Sequence, residues 1–164
     1  MNRRQAGVAL AIVHVALVGV LGLKLLADRA RLPRAWARTL PYDPSLPIRG
    51  RYVRLRLEVP LDSVETATAW RSVNVRLEAR DGRLRGVPDP GAAAAVTIDS
   101  VRGVPRAALV RPVAFFIPEH VADPSLRDAG EELWAEVTIP RRGSPRPIRL
   151  GVRRDGEIAP LDLR

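Results

Sequence analysis

VNVRLEARDGRLRGV, residues 73–87, is the stretch on which the fold turns. In its first half Val73, Val75, Leu77 and Ala79 alternate with Asn74, Arg76, Glu78 and Arg80. Successive side chains on extended backbone point to opposite sides, so a period of two with one apolar face predicts a half-buried strand. Asp81-Gly82 comes next. A two-residue type I′ turn needs positive φ at both central positions, which aspartate tolerates and glycine accepts freely. Arg83–Val87 is then the returning strand of a hairpin.

The same grammar extends in both directions. Arg51–Val59 alternates Val53, Leu55, Leu57 and Val59 against Tyr52, Arg54, Arg56 and Glu58. Ala94–Val104 and Ala107–Ile117 read as an antiparallel pair around Gly103-Val104-Pro105, with Pro112 making part of the second an edge or a bulge. Leu133, Ala135, Val137 and Ile139 mark a further strand. Ile148, Leu150 and Val152 mark another, which Asp155-Gly156 turns into Glu157–Leu163. IRLGVRRDGEIAP, residues 148–160, echoes the opening stretch as recurring hairpin chemistry rather than as a repeat architecture. Two segments read differently. Leu61–Arg71 has room for a helical turn, and Asp123-Pro124 suits the N-cap and first position of a short helix ending near Gly130. The fold class expected for residues 50–164 is mainly β, a small antiparallel β-sandwich or partly open barrel.

Upstream the chain changes character. From Gln5 to Leu23 there is no charge, and AGVALAIVHVALVGVLGL shows no polar face. As a helix it spans about 27 Å, close to the hydrocarbon thickness of a bilayer. An uncleaved transmembrane anchor, a cleaved signal peptide and a buried core helix compete here. The run is longer than a signal's apolar region, and the nearest small-x-small site, Ala35-Trp36-Ala37, lies well beyond it, so the anchor is preferred. His14 sits in mid-span, where a neutral histidine satisfied by a neighbouring helix is the expected state. Residues 1–32 are therefore read as a cytoplasmic tail, the transmembrane helix and a short extension, ended by Pro33. Residues 33–49, with Pro41, Pro44 and Pro47 at regular spacing, read as an extended neck carrying Trp36 as an interfacial aromatic.

The net charge is +9, but seven cations within residues 1–40, against Asp28 alone, account for +6 of it. The excess flanks the apolar segment, where cations meet lipid headgroups, so the chain is read as touching membrane lipid and no nucleic acid. The five cations after the span favour a cytoplasmic domain by the positive-inside rule, while the very short N-terminal tail favours the opposite side. The absence of cysteine excludes disulfides, thiolate metal sites and a cysteine nucleophile.

RGRYVRLRL, residues 49–57, resembles the motif that names the GDYXXLXY family of bacterial membrane-anchored proteins. Gly50, Tyr52 and Leu55 match, while Arg51 replaces the aspartate and Leu57 the final tyrosine. Phe115-Phe116-Ile117-Pro118-Glu119 resembles the family's aromatic-aromatic-aliphatic-Pro-Glu segment. The resemblance implies a single-pass protein of the bacterial inner membrane, its domain outside the cytoplasm, accompanied by a multi-pass membrane protein and with no assigned activity. On the residues themselves, Gly50, Tyr52, Leu55, Pro118 and Glu119 read as structural.

No constellation for catalysis, cofactor or metal emerges from the sequence. Glu119-His120 is a lone pair in a loop, and a Ser-Lys dyad lacks its lysine, because Lys24 lies at the bilayer edge. Tyr52, Arg54 and Arg56 share one strand face and form the candidate binding surface. The plainer expectation for that face is a solvated one, with Arg54 beside Glu58 and cross-strand carboxylates. A non-enzymatic, membrane-anchored accessory protein of the cell envelope is the expected function. A hydrolase-like enzyme centred on Glu119 and His120, or an anionic-ligand module, are the alternatives.

Overall fold

The computed structural model describes residues 2–40, 52–62, 72–101, 104–121, 123–124, 127–128, 130–141 and 143–163. Two compact units divide the chain between Leu32 and Pro33.

The first unit is one helix, α1 (Arg3–Arg31). Its first turn is held by the Asn2 N–H donating to Gln5 Oε1 at 3.1 Å. It stops because Leu32 takes an extended conformation (φ −70°, ψ 147°), as a residue before proline prefers. The helix is long and apolar enough to cross a membrane. Its apolar side chains, Val8, Leu17 and Leu26 among them, are exposed.

The second unit is mainly β. Its strands are β1 (Arg34–Leu40), β2 (Tyr52–Leu57), β3 (Ser72–Arg80), β4 (Arg83–Pro88), β5 (Ala94–Val101), β6 (Val104–Leu109), β7 (Val113–Phe116), β8 (Glu132–Thr138), β9 (Arg146–Arg154) and β10 (Glu157–Pro160). The order is β10-β9-β8-β1-β4-β3-β5-β6, with β2 joining β1 and β7 joining β2. β1 meets β4 in parallel at Trp36 and Arg83, so the sheet is mixed, where only antiparallel pairs were expected. It is open rather than a closed barrel. A bridge from Glu58 to Ala108, with the Val59 N–H donating to the Ala107 carbonyl at 2.8 Å, connects the chain after β2 to β6.

The two Asp-Gly hairpins form as the sequence requires. Asp81 and Gly82 take φ of 52° and 69°, and Asp155 and Gly156 take 49° and 91°. Alternation places Leu55, Leu57, Val75, Leu84, Val137 and Leu150 in one core, each at most 2% exposed. Gly86 lies where the chain at Val59–Leu61 runs alongside β4, Leu61 bridging Gly86 in parallel and the Gly86 N–H donating to the Pro60 carbonyl at 3.0 Å.

Three expectations need correction. The neck was expected to begin at residue 33, yet Arg34–Leu40 is a strand paired with β8 from Arg34↔Thr138 to Arg38↔Trp134. The cause is alternation: Ala35 and Ala37 are buried at 1% and 2% while Trp36 and Arg38 face outward. Trp36 is accordingly packed on the sheet, at the bare backbone of Gly151. Pro112 does more than interrupt a strand. It separates β6, which pairs with β5, from β7, which pairs with β2. The described residues between Pro118 and Glu131 carry turns and no helix, with the Val121 N–H donating to the Pro118 carbonyl at 3.2 Å. The helical turn expected within Leu61–Arg71 falls largely on residues outside the described ones.

Candidate functional site

The candidate surface is built by β2 and β7. Their register sets Tyr52 opposite Phe116, Val53 opposite Phe115, Arg54 opposite Ala114 and Leu55 opposite Val113. Val53, Leu55, Val113 and Phe115 turn to the core. Tyr52, Arg54, Ala114 and Phe116 are therefore left on the outer face. The rings of Tyr52 and Phe116 lie 5.7 Å apart between centroids at 55°, a tilted pair that cross-strand neighbours favour. Phe116 is 77% exposed, an unusual position for a phenylalanine. With Arg54, Pro112, Val113 and Ala114 the pair lines a shallow groove of about 400 Å³.

The two candidate arginines diverge. Arg56 Nη2 donates to Asp99 Oδ2 at 2.7 Å, so its charge is already answered. Arg54 is half-buried beside the aromatic pair and, among the described residues, has no hydrogen-bond or ion-pair partner. Glu58, expected beside Arg54, is occupied elsewhere: Arg106 Nη1 contacts both its oxygens at 3.0 Å, and Arg38 Nη1 lies 3.7 Å away.

Leu55 is a core residue at 2% exposure. Pro118 and Glu119 stand exposed at and beyond the end of β7, and His120 is exposed in the same turn. Among the described residues neither Glu119 nor His120 has a hydrogen-bond partner. Gly50 lies outside the described residues. Among the described residues no three histidine or carboxylate side chains converge on a possible cation position.

A second cluster went unread in the sequence. On the outer face of the sheet Arg149 lies over Trp36 (5.5 Å), while Arg83 (4.3 Å) and Arg153 (5.7 Å) lie over Trp134. Carboxylates answer most of these charges. Glu136 takes Arg149 at 2.9 Å, and Glu132 takes Arg38 at 2.8 Å and Arg153 at 3.5 Å. Arg83 Nη1 is buried with no hydrogen-bond partner, so the Trp134 face is its main compensation. The cluster is largely self-neutralised and offers a ligand little. Its signal was the outward parity of Trp134 beside Leu133 and Ala135, legible only once the strand partners are known.

No family model matches the chain, and neither a curated protein nor a solved structure matches it.

Proposed function

We propose that this chain is a membrane-tethered, non-enzymatic accessory protein of the bacterial cell envelope that holds a partner protein on the outer face of β2 and β7. The carrying observation is Phe116, 77% exposed against Tyr52 and next to the unpartnered Arg54. An exposed phenylalanine packed on a half-buried tyrosine, with a half-buried arginine beside it, is the composition of an interaction hot spot. The anionic-ligand alternative narrows to Arg54, because Arg56 is committed to Asp99.

The proposed lineage remains the GDYXXLXY family. Its support is that the two segments carrying the resemblance, Tyr52–Leu55 and Phe115–Phe116, are cross-strand neighbours in one ribbon. The proposed partner is a multi-pass membrane protein. His14 supports it: Nδ1 lies 2.9 Å from the carbonyl of Leu10 on the same helix. The other ring nitrogen is left in mid-span, where a polar group on a neighbouring helix would satisfy it.

Two experiments test the reading. A photo-crosslinking amino acid in place of Ala114, in native membranes, is expected to trap one membrane protein. Arg54→Glu should cut that yield at least fivefold. No adduct from position 114, or an adduct indifferent to Arg54→Glu, would overturn the docking role. For topology, Ser144 is exposed and the chain has no cysteine, so Ser144→Cys is a clean reporter. A membrane-impermeant maleimide is expected to label it in cells with a permeabilised outer membrane. Labelling only after lysis would put the domain in the cytoplasm.

A further inference from the structure

We infer that the turn between β8 and β9 binds the anionic phospholipid headgroups around the point where α1 leaves the bilayer. The inference rests on the membrane tether proposed above and adds a lipid-binding site on the folded domain, separate from the aromatic pair of β2 and β7.

Covalent geometry brings the domain to the lipid. The apolar run of α1 ends at Leu26, and Asp28, Arg29 and Arg31 follow within the helix. From Leu26 to Arg31 the helix rises about 7.5 Å, and Leu32 and Pro33 add at most about 7.6 Å. Pro33 is thus within about 15 Å of the apolar run, a distance that the headgroup layer and one Debye length cover.

The β ladder carries the turn to the same place. The Pro33 carbonyl accepts the Ile139 N–H at 2.9 Å. Arg34 pairs with Thr138, and Thr138 with Arg146. Arg34 and Arg146 therefore stand two strand spacings apart, roughly 10 Å. Between Thr138 and Arg146 the chain reads Ile-Pro-Arg-Arg-Gly-Ser-Pro.

The charge of this end is one-sided. No aspartate or glutamate occurs from Val137 to Arg154, where six arginines do. Three of them, further along β9, are answered: Arg149 by Glu136, Arg153 by Glu132 and Arg154 by Glu131. Arg141, Arg142 and Arg146 belong to the turn. Arg141 and Arg146 are exposed, as is Arg34 beside them. Among the described residues Arg141 has no hydrogen-bond or ion-pair partner. The same holds for Arg111, which is exposed and precedes Pro112, a residue lining one cleft with Gly143, Ser144 and Arg146. Residues 41–51 and 63–71, outside the described ones, hold Asp43 and Glu65 against Arg49, Arg51 and Arg71, so they bring no net negative charge to this end wherever they lie.

Guanidinium groups fork onto phosphate oxygens, and an anionic leaflet draws cations to its surface. A basic patch alone holds a protein at a membrane only loosely, so α1 tethers the domain and the turn sets which end of it meets the lipid. The headgroup layer is hydrated, so Ser144 in the turn stays open to a water-soluble maleimide.

The test uses the full chain in vesicles whose headgroups carry a nitroxide quencher, made of phosphatidylcholine alone or mixed with phosphatidylglycerol. Ser144→Cys takes a single fluorophore in the turn, and Glu157→Cys takes it past the far end of β9, roughly 26 Å along the strand. At low salt the fluorophore at position 144 should be quenched at least threefold more with phosphatidylglycerol than without it. The one at position 157 should not distinguish the two lipids. Tenfold more salt should abolish the difference, as should Arg141→Ser, Arg142→Ser and Arg146→Ser combined. The salt series needs no arginine replaced, so it judges the contact even where the triple variant fails to fold. Equal quenching at position 144 in the two lipids, or a difference that survives the added salt or a folded triple variant, would overturn the lipid contact. An equal response at position 157 would overturn its assignment to this turn. A chain that floats with neither vesicle would overturn the tether itself, which is a separate failure.

Discussion

Gly86→Ala is expected to lower the unfolding free energy of the β domain by about 1–3 kcal/mol, the range for overpacking a filled core. The reason is space, not backbone conformation. A methyl group built on Gly86 meets Leu61 Cδ2 at 2.7 Å and Val59 Cγ1 at 2.9 Å. Leu61 can yield, because the contact is the far end of a flexible side chain. Val59 cannot, since it is fully buried and β-branched, with little rotamer freedom. The segment Val59–Leu61 would have to lift from β4, straining the bond from the Gly86 N–H to the Pro60 carbonyl. Gly86→Val should cost more still. Gly91→Ala is the control, because its added methyl meets only Asp89 Oδ1, at 3.5 Å. Urea unfolding followed by tryptophan fluorescence would place the Gly86→Ala midpoint clearly below the control. Coincident midpoints would mean that Val59 and Leu61 do not pack against β4 at this position.

The contrast between Gly86 and the hairpin glycines shows what a sequence carries. Gly82 and Gly156 are legible because Asp-Gly between alternating runs has one ready local explanation, and both take positive φ. Gly86 and Gly151 are small for long-range reasons: the first sits under Val59–Leu61, the second against Trp36 and Ile158. The same divide runs through the strands. Strands β2 to β5, β8 and β9 were legible from alternation, and β10 from the Asp155-Gly156 turn that precedes it. β1 was missed because its inward residues are the two small alanines Ala35 and Ala37, and because the prolines that follow suggested a neck. The pairing of β7 with β2 was illegible, since nothing local to Val113–Phe116 names a partner some sixty residues upstream. The candidate face was half visible. Tyr52 and Arg54 could be picked out by parity, and two adjacent phenylalanines on a strand oblige one to face outward. Only the register shows that the outward one is Phe116 and that it meets Tyr52.

A chain cut to begin at Pro33, after an initiating methionine, is expected to leave the membrane fraction entirely and remain folded. Apolar residues at a membrane helix centre each favour insertion by roughly 0.3–0.6 kcal/mol, so the twelve leucines, valines and isoleucines of α1 together favour it by about 5 kcal/mol. Nothing comparable is exposed on the β domain, where Phe116 and Val110 are the large apolar side chains left open among the described residues. The cut must keep Pro33, because its carbonyl accepts a hydrogen bond from the Ile139 N–H at 2.9 Å, next to the Arg34↔Thr138 pair that starts the β1–β8 ladder. Beginning instead at Tyr52 would remove β1, leaving β8 without its inner neighbour and β2 without one of its two partners. That shorter chain should be insoluble. Fractionation and circular dichroism of the two chains check both statements. If the Pro33 chain still pelleted with membranes in folded form, the domain itself would bind there, and adding Phe116→Ser would decide whether the β2–β7 face is responsible. If it proved unfolded, the division of the chain into two independent units at Pro33 would be wrong.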